Sequence, residues 1–199
     1  MRGGARGDKW VITQDARQRT TAMPPTLPSR FAPLALLALV GACASPPDAT
    51  VAASAPPLVL EEFFPGRTVG QGVFTNSWTG SERRFDVVID STWDGKTLTL
   101  VEDFAYADGE KDRKTWRLER TAPGTYTGTR EDVVGQARAW TEGKVVRLEY
   151  SVSLGGWTVD FSDVLALNPD GSLINKATVG KWGLRVGRVV LDLKRAPGS

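Results

Sequence analysis

The chain has 199 residues, 41% apolar and 24% charged, with seven Trp and seven Phe; this is an ordinary globular composition with enough apolar material for a sizeable core. It contains no His and a single Cys, which excludes a His-based triad, an imidazole base, a disulfide framework and a multi-cysteine zinc site. The formal charge of +2 belongs to the N-terminal part: residues 1–42 hold six basic and two acidic residues, leaving 19 basic and 21 acidic from Cys43 onward, a balance with no electrostatic footprint for nucleic acid.

Residues 1–22 show no apolar periodicity. Met23 opens a leader of ordinary length, "MPPTLPSRFAPLALLALVGAC", so the start of translation is expected there. The apolar run "FAPLALLALVGA" (31–42) is shorter than the ~20 residues of a membrane-spanning helix. With Arg30 in front of it, it fits the apolar region of a secretory signal. Val40-Gly41-Ala42-Cys43 then resembles a bacterial lipobox. Small residues let a membrane peptidase hold the backbone extended at the cut, and the thiol is free to take diacylglycerol as a thioether. The alternative is an ordinary signal peptide with an incidental Cys. Several acyl chains on Cys43, at about 0.8 kcal/mol per buried methylene, make a lasting anchor. Ala44, where Asp would resemble an inner-membrane retention signal, favours the inner leaflet of the outer membrane, facing the periplasm.

Cys43 to Pro57, "CASPPDATVAASAPP", reads as a flexible Pro/Ala/Ser tether. "LVLEEFF" (58–64) suits one helical turn, ended by Pro65-Gly66. From Thr68 on, short β segments recur at the ~8–12-residue spacing of all-β folds. Turn residues separate them at Asp94-Gly95, Asp108-Gly109, Pro123-Gly124, Glu142-Gly143, Gly155-Gly156, Asp170-Gly171 and Gly183. Period-2 faces run through Phe85, Val87 and Ile89; Leu98, Leu100, Glu102, Phe104 and Tyr106; Trp116 and Leu118; and Val146, Leu148, Tyr150, Val152 and Leu154. They continue through Trp157, Val159, Phe161, Asp163, Leu165 and Leu167, and then Val189, Leu191 and Leu193. This pattern predicts about nine or ten antiparallel strands over the domain 58–199, closing into a barrel because so many strands need their edges managed. A two-sheet sandwich is the alternative. Gly70, Gly72, Gly128 and Gly135 fall inside strand-like segments, where glycine marks a bulge or corner; loose loop structure is the plainer account.

Glu102 and Asp163 interrupt faces that are otherwise apolar. A carboxylate facing a barrel interior must be paired, hydrogen-bonded or protonated, so each is a candidate polar anchor or acid/base; a slipped register or a strand end is the plainer account. "DFAYADGEKD" (103–112) lacks the alternate-residue oxygen ligands of a calcium loop and reads as a charged hairpin tip. No metal, cofactor or nucleophile is implied. The aromatics Phe74, Phe85, Phe104, Tyr106, Trp116, Tyr126, Trp140, Tyr150, Trp157 and Phe161 either line a cavity or fill a core.

Three stretches, "RRFDVVIDSTWDGKTLTLVEDFAYADGEKDRKTWRLE" (83–119), "YTGTREDVVGQARA" (126–139) and "LINKATVGKWGLRVGRVVLDLKR" (173–195), resemble a bacterial lipoprotein family of unknown function, domain-of-unknown-function family 3833. Glu102, Phe104, Tyr106, Asp108, Gly109, Trp116, Gly128, Asp132, Val133, Gly135, Asn175, Lys181, Gly183 and Gly187 fit its pattern. "FSDVLALN" (161–168) departs from it, which puts any role of Asp163 in doubt. The resemblance implies a lipoprotein with a lipocalin-like barrel and carries over no established activity. The expectation is a membrane-anchored binder of a hydrophobic or lipid-derived ligand, without catalysis. In it Glu102 and Tyr106 orient the ligand's polar end, and Phe104, Trp116 and Tyr150 form walls. The alternatives are a structural or interaction protein of the cell envelope, using an exposed strand edge or aromatic patch over a solid interior, and an enzyme of lipid metabolism using Glu102.

Overall fold

The computed structural model describes residues 44–198. The leader 1–42, the start at Met23 and the lipidation site Cys43 lie outside the described residues. One short helix, α1 (Leu60–Phe63), precedes ten strands: β1 (Gly66–Asn76), β2 (Glu82–Trp93), β3 (Thr97–Tyr106), β4 (Lys111–Ala122), β5 (Thr125–Thr129), β6 (Ala137–Glu142), β7 (Val145–Leu154), β8 (Trp157–Leu167), β9 (Leu173–Lys181) and β10 (Leu184–Arg195). Each strand pairs antiparallel with its neighbour in sequence, and β1 pairs with β10 from Thr68–Arg195 to Asn76–Gly187. The sheet is therefore a closed meander without edges. Closure removes the sandwich alternative, since no second sheet exists among the described residues.

The turns do this for a local reason. Gly95, Gly109, Gly124, Gly143, Gly156, Gly171 and Gly183 all have positive φ, where a side chain would clash with its own backbone. Short tight turns preserve the alternation of each strand, so the inward set stays inward. Val87, Ile89, Leu98, Leu100, Trp116, Leu118, Val146 and Leu193 are buried accordingly. The strand glycines have a different role from the one their position implies. The ladders shift register only near Arg120–Ala122 and Arg185–Gly187, not at Gly70, Gly72 or Gly128. At Gly72 the Phe85 ring lies over the backbone, and a Cβ would stand 2.2 Å from its Cζ.

The base of the barrel is plugged. Leu58, Leu60, Phe63 and Phe64 are buried in the main core. Polar contacts hold the plug: Arg120 Nη1 donates to Glu61 Oε1 at 2.8 Å, the Tyr126 hydroxyl donates to Glu61 Oε2, and Arg195 Nε donates to the Phe63 carbonyl at 2.9 Å. Burial works against the Glu61 carboxylate, but the hydrogen bonds from Tyr126 and Arg120 outweigh it and hold its pKa below the usual value. A hydrogen bond to a charged group contributes about 1.5–3 kcal/mol, so Tyr126→Phe is expected to cost that much in urea unfolding at pH 7. A loss under about 0.5 kcal/mol would mean that the plug is held by apolar contact alone.

Residues 44–57, whose composition reads as a flexible tether, form no strand or helix but lie along the outside of the barrel. Ala44 N donates to the Gly183 carbonyl at 2.9 Å, at the end opposite the plug. Ala49 and Val51 pack on Val145, Val164, Ala166 and Ile174 of the outer wall. Lys144 Nζ donates to the Ala53 and Ala55 carbonyls at 2.7 and 2.8 Å at the base. The strap thus runs the height of the barrel before the chain turns in to form the plug.

Candidate functional site: a barrel cavity with a buried polar cluster

The barrel is hollow. A cavity of about 560 Å³ runs from the plug residues Leu60 and Phe64 to the opposite, open end, a size in the range of small-molecule sites. Every residue expected to bind a ligand faces this one space: Glu102, Phe104 and Tyr106 from β3, Trp116 from β4 and Tyr150 from β7. Phe85 meets Phe104 and Tyr106 at ring-centroid distances of 5.6 and 5.8 Å. Tyr150 stacks on Phe161 and meets Trp116 edge-on, each at 5.0 Å. Phe74 also lines the wall. Three aromatics of the expected set do not. Trp140 points outward, because its neighbours Ala137 and Ala139 take the inward positions of β6. Tyr126 lies beneath the floor, bonded to Glu61. Trp157 sits at the rim and is 55% exposed.

Polar groups from four elements break the apolar lining. Glu102 (β3), Asp163 (β8), Asn175 (β9) and Arg130, just past the end of β5, all line the cavity. Asp163 is 4% exposed despite the departure of its stretch from the family pattern. The Arg130 guanidinium is clamped by Asp132, with Nε donating to Oδ1 at 2.7 Å. It lies over the rings of Trp116 and Tyr150, at 4.7 and 5.3 Å from their centroids. Its Nη1 stands 3.9 Å from Glu102 Oε2. That is an ion-pair distance but too long for a direct hydrogen bond. Asn175 Nδ2 donates to Asp163 Oδ2 at 3.1 Å. Glu102 Oε2, Asp163 Oδ1 and Asn175 Oδ1 are buried without a hydrogen-bond partner among the described residues.

The electrostatics follow from burial. Desolvation pushes the Glu102 carboxyl up to about 7 against the pull of Arg130, and Asp163 and Asp132 add to the push. Desolvation likewise lifts Asp163 to about 7, opposed by its hydrogen bond from Asn175 and by Arg130. Burial holds the Tyr150 phenol well above its ordinary value. For Arg130, burial opposes the charge, but Tyr150, Glu102 and Asp132 outweigh it and its pKa is raised. Near neutral pH the buried cluster therefore holds Arg130 beside two carboxyl groups close to their midpoints; Arg83, Asp112, Lys114 and Asp132 also line the cavity. Arg130 and Asn175 are the members that strand alternation does not reveal: Arg130 lies in an irregular loop, and Asn175 is visible only as a match to the family pattern. No group of three or more His, Cys, Asp and Glu suited to a metal ion occurs among the described residues.

One solved structure shares the fold. An S-type phycobiliprotein lyase, CPES from Guillardia theta, superposes with a TM-score of 0.53 at 11% identity, covering 71% of this chain and 95% of that one. Two β-barrels, the redesigned mFAP1 and EF1p2_mFAP2b, both bound to DFHBI, align at 12% and 13% identity with TM-scores of 0.37 and 0.38. Each alignment covers 68% of this chain, and 97% and 95% of theirs respectively. No curated protein matches the sequence. One family pattern spans nearly the whole described barrel, covering residues 37–195: the chain belongs to the family described as "Protein of unknown function (DUF3833)".

Proposed function

We infer that this barrel binds an amphiphilic, lipid-derived ligand, with its chain in the apolar cavity and its polar end among Glu102, Arg130, Asp163 and Asn175. The observation that carries the reading is a cavity of about 560 Å³ whose buried acceptors Glu102 Oε2, Asp163 Oδ1 and Asn175 Oδ1 retain unused hydrogen-bonding capacity. Burying such groups unpaired costs about 1–3 kcal/mol each. A ligand that pairs them gains binding energy the apolar wall cannot supply. The 3.9 Å gap between Arg130 Nη1 and Glu102 Oε2 fits a group that accepts from the guanidinium and donates to the carboxylate, such as a hydroxyl, an amide or a protonated acid. The hollow interior and the closed sheet disfavour an envelope interaction protein with a solid core and a free strand edge, although the exposed aromatics it called for are present.

In this reading the protein is a bacterial lipoprotein, anchored through a diacylated Cys43 in the inner leaflet of the outer membrane and facing the periplasm. The lipobox-like Val40-Gly41-Ala42-Cys43 supports it. Native mass spectrometry of the protein extracted from bacterial membranes tests the ligand. The expected spectrum carries an additional lipid-sized mass that Glu102→Gln with Arg130→Met removes. An identical apo mass for both proteins would refute the binding reading. A tryptic N-terminal peptide lacking diacylglycerol on Cys43 would refute the anchor without touching the ligand.

A further inference from the structure

Five hairpins cross the open end of the barrel: β1–β2, β3–β4, β5–β6, β7–β8 and β9–β10. Seven large apolar side chains are exposed among the described residues, and six of them sit on four of these hairpins. They are Trp78, Val134, Leu154, Trp157, Trp182 and Leu184, with Trp182 80%, Trp78 73% and Leu154 65% exposed. The four hairpins are neighbours. Val134 N donates to the Ser151 carbonyl, tying the β5–β6 loop to β7, and Ser77 N donates to the Val186 carbonyl, tying the β1–β2 turn to β10. The turns at the base carry Asp94-Gly95, Pro123-Gly124, Gly143-Lys144 and Asp170-Gly171 instead.

This rim is built rather than incidental. Trp182 is the one non-glycine with positive φ among the described residues, at 52°. A bulky residue there strains the backbone at a position that Asn or Gly fills without cost, and its ring buries nothing inside the barrel. Trp157 and Trp182 meet edge-on at 5.9 Å, with Lys181 Nζ 3.1 and 4.5 Å from their centroids. Residues 153–158 and 181–187 include Lys181 and Arg185 and no carboxylate, whereas the β5–β6 loop carries Glu131 and Asp132, so the cationic part of the rim is its β7–β8 and β9–β10 side. Trp, Leu and snorkelling Lys in one belt are the residue types of a membrane–water boundary. The start of the strap lies at the same place. Ala44 bonds Gly183, and Gly180 leaves room for it, since a Cβ there would lie 2.9 Å from the Ala44 Cβ. The first described residue, Ala44, is thus held at the aromatic rim.

We propose that the β7–β8 and β9–β10 side of this rim is a lipid-docking surface that seats the open end of the cavity on an anionic bilayer leaflet. An apolar ligand then passes between leaflet and barrel without crossing water. The proposal rests on the ligand-binding reading for what passes, but the docking itself stands on the rim alone, so its test uses neither the anchor nor the ligand. The ladder and the core are contributed wholly by residues from Ala49 onward, so residues 44–199 contain the complete fold and serve as the test protein. In flotation with phosphatidylethanolamine/phosphatidylglycerol vesicles, this domain is expected to rise with the lipid, and lipids brominated on the acyl chain are expected to quench its tryptophan emission. Trp157→Ser with Trp182→Ser should lower the partition about tenfold or more, and Leu154→Ser with Leu184→Ser should do the same, because binding scales with the apolar area inserted. Lys181→Glu should weaken binding to these vesicles more than to phosphatidylcholine vesicles. Trp140→Ser, on the outer wall away from the rim, should leave the partition unchanged, which ties docking to the rim and not to any outward-facing indole. The proposal is overturned if the wild-type domain stays with the aqueous phase, or if correctly folded rim variants float as well as wild type. It is equally overturned if sedimentation shows a lipid-free dimer that the Trp changes dissolve, which would make a second copy the occupant of the rim.

Discussion

Arg130→Met is expected to destabilise the barrel far more at pH 8 than at pH 5. At pH 8 Glu102 and Asp163, with pKa values near 7, are ionised, and Arg130 is the cation that acts on both. Removing one partner from a buried ion pair costs about 3–5 kcal/mol because the remaining charge is left uncompensated. At pH 5 both carboxyls are protonated and that loss disappears. What remains is the contact of the guanidinium with the Trp116 and Tyr150 rings, worth about 1–2 kcal/mol in a desolvated setting. Asp132 keeps a second partner at either pH, with Lys114 Nζ 3.5 Å from its Oδ2. Urea unfolding of wild type and variant at the two pH values measures the difference. Equal losses at both would show that Arg130 is not coupled to the two carboxylates.

The second large effect is a gain. Glu102→Gln is expected to stabilise the protein above pH 7. The Glu102 carboxyl has a folded-state pKa near 7 against an ordinary value of 4.5. Below 4.5 both folded and unfolded chains hold the proton and the site is neutral in its effect. As the pH rises through this window the unfolded chain gives up its proton while the folded chain retains it, so stability falls. Once the pH has passed 7, the full loss of about 3 kcal/mol is present, at 1.36 kcal/mol per pKa unit. Asp163, raised from 3.8 to about 7, adds a loss of the same sign. Wild type should therefore be most stable in mild acid and weaken toward pH 8. The Gln variant should match wild type below pH 4.5 and exceed it by up to about 3 kcal/mol at pH 8. Parallel thermal unfolding profiles of the two proteins would contradict a strongly buried carboxyl. A chain that retains such a costly group in a largely apolar cavity sacrifices stability at a site where a ligand makes use of it.

The part of this site that the sequence displays is the part carried by alternation. Leu98, Leu100, Glu102, Phe104 and Tyr106 share one face because β3 is regular between two tight turns, so the odd carboxylate among apolar residues stands out. Trp116, Tyr150 and Asp163 are found by the same rule. Arg130 is not, since it follows β5 in a loop with no period, and a single Arg in "TREDVV" looks like any surface charge. Trp140 misleads for the opposite reason: the inward positions of β6 are alanines, so the large residue marks the outer wall. Trp157 has inward parity but lies at the strand's first residue, beyond the wall. The packed strap is invisible in a Pro/Ala/Ser composition. Its only trace is the outward-facing apolar set Val145, Val164, Ala166 and Ile174, which it covers. Closure leaves no local mark either, because the β1–β10 ladder joins strands more than a hundred residues apart.

A crystal structure of the protein purified from its native membrane, without added ligand, tests the central claim most directly. The account predicts elongated density filling the barrel, with its polar end bridging Arg130 and Glu102. Phe104 and Phe161 closing together over a collapsed interior, with Arg130 turned out to solvent, would contradict it.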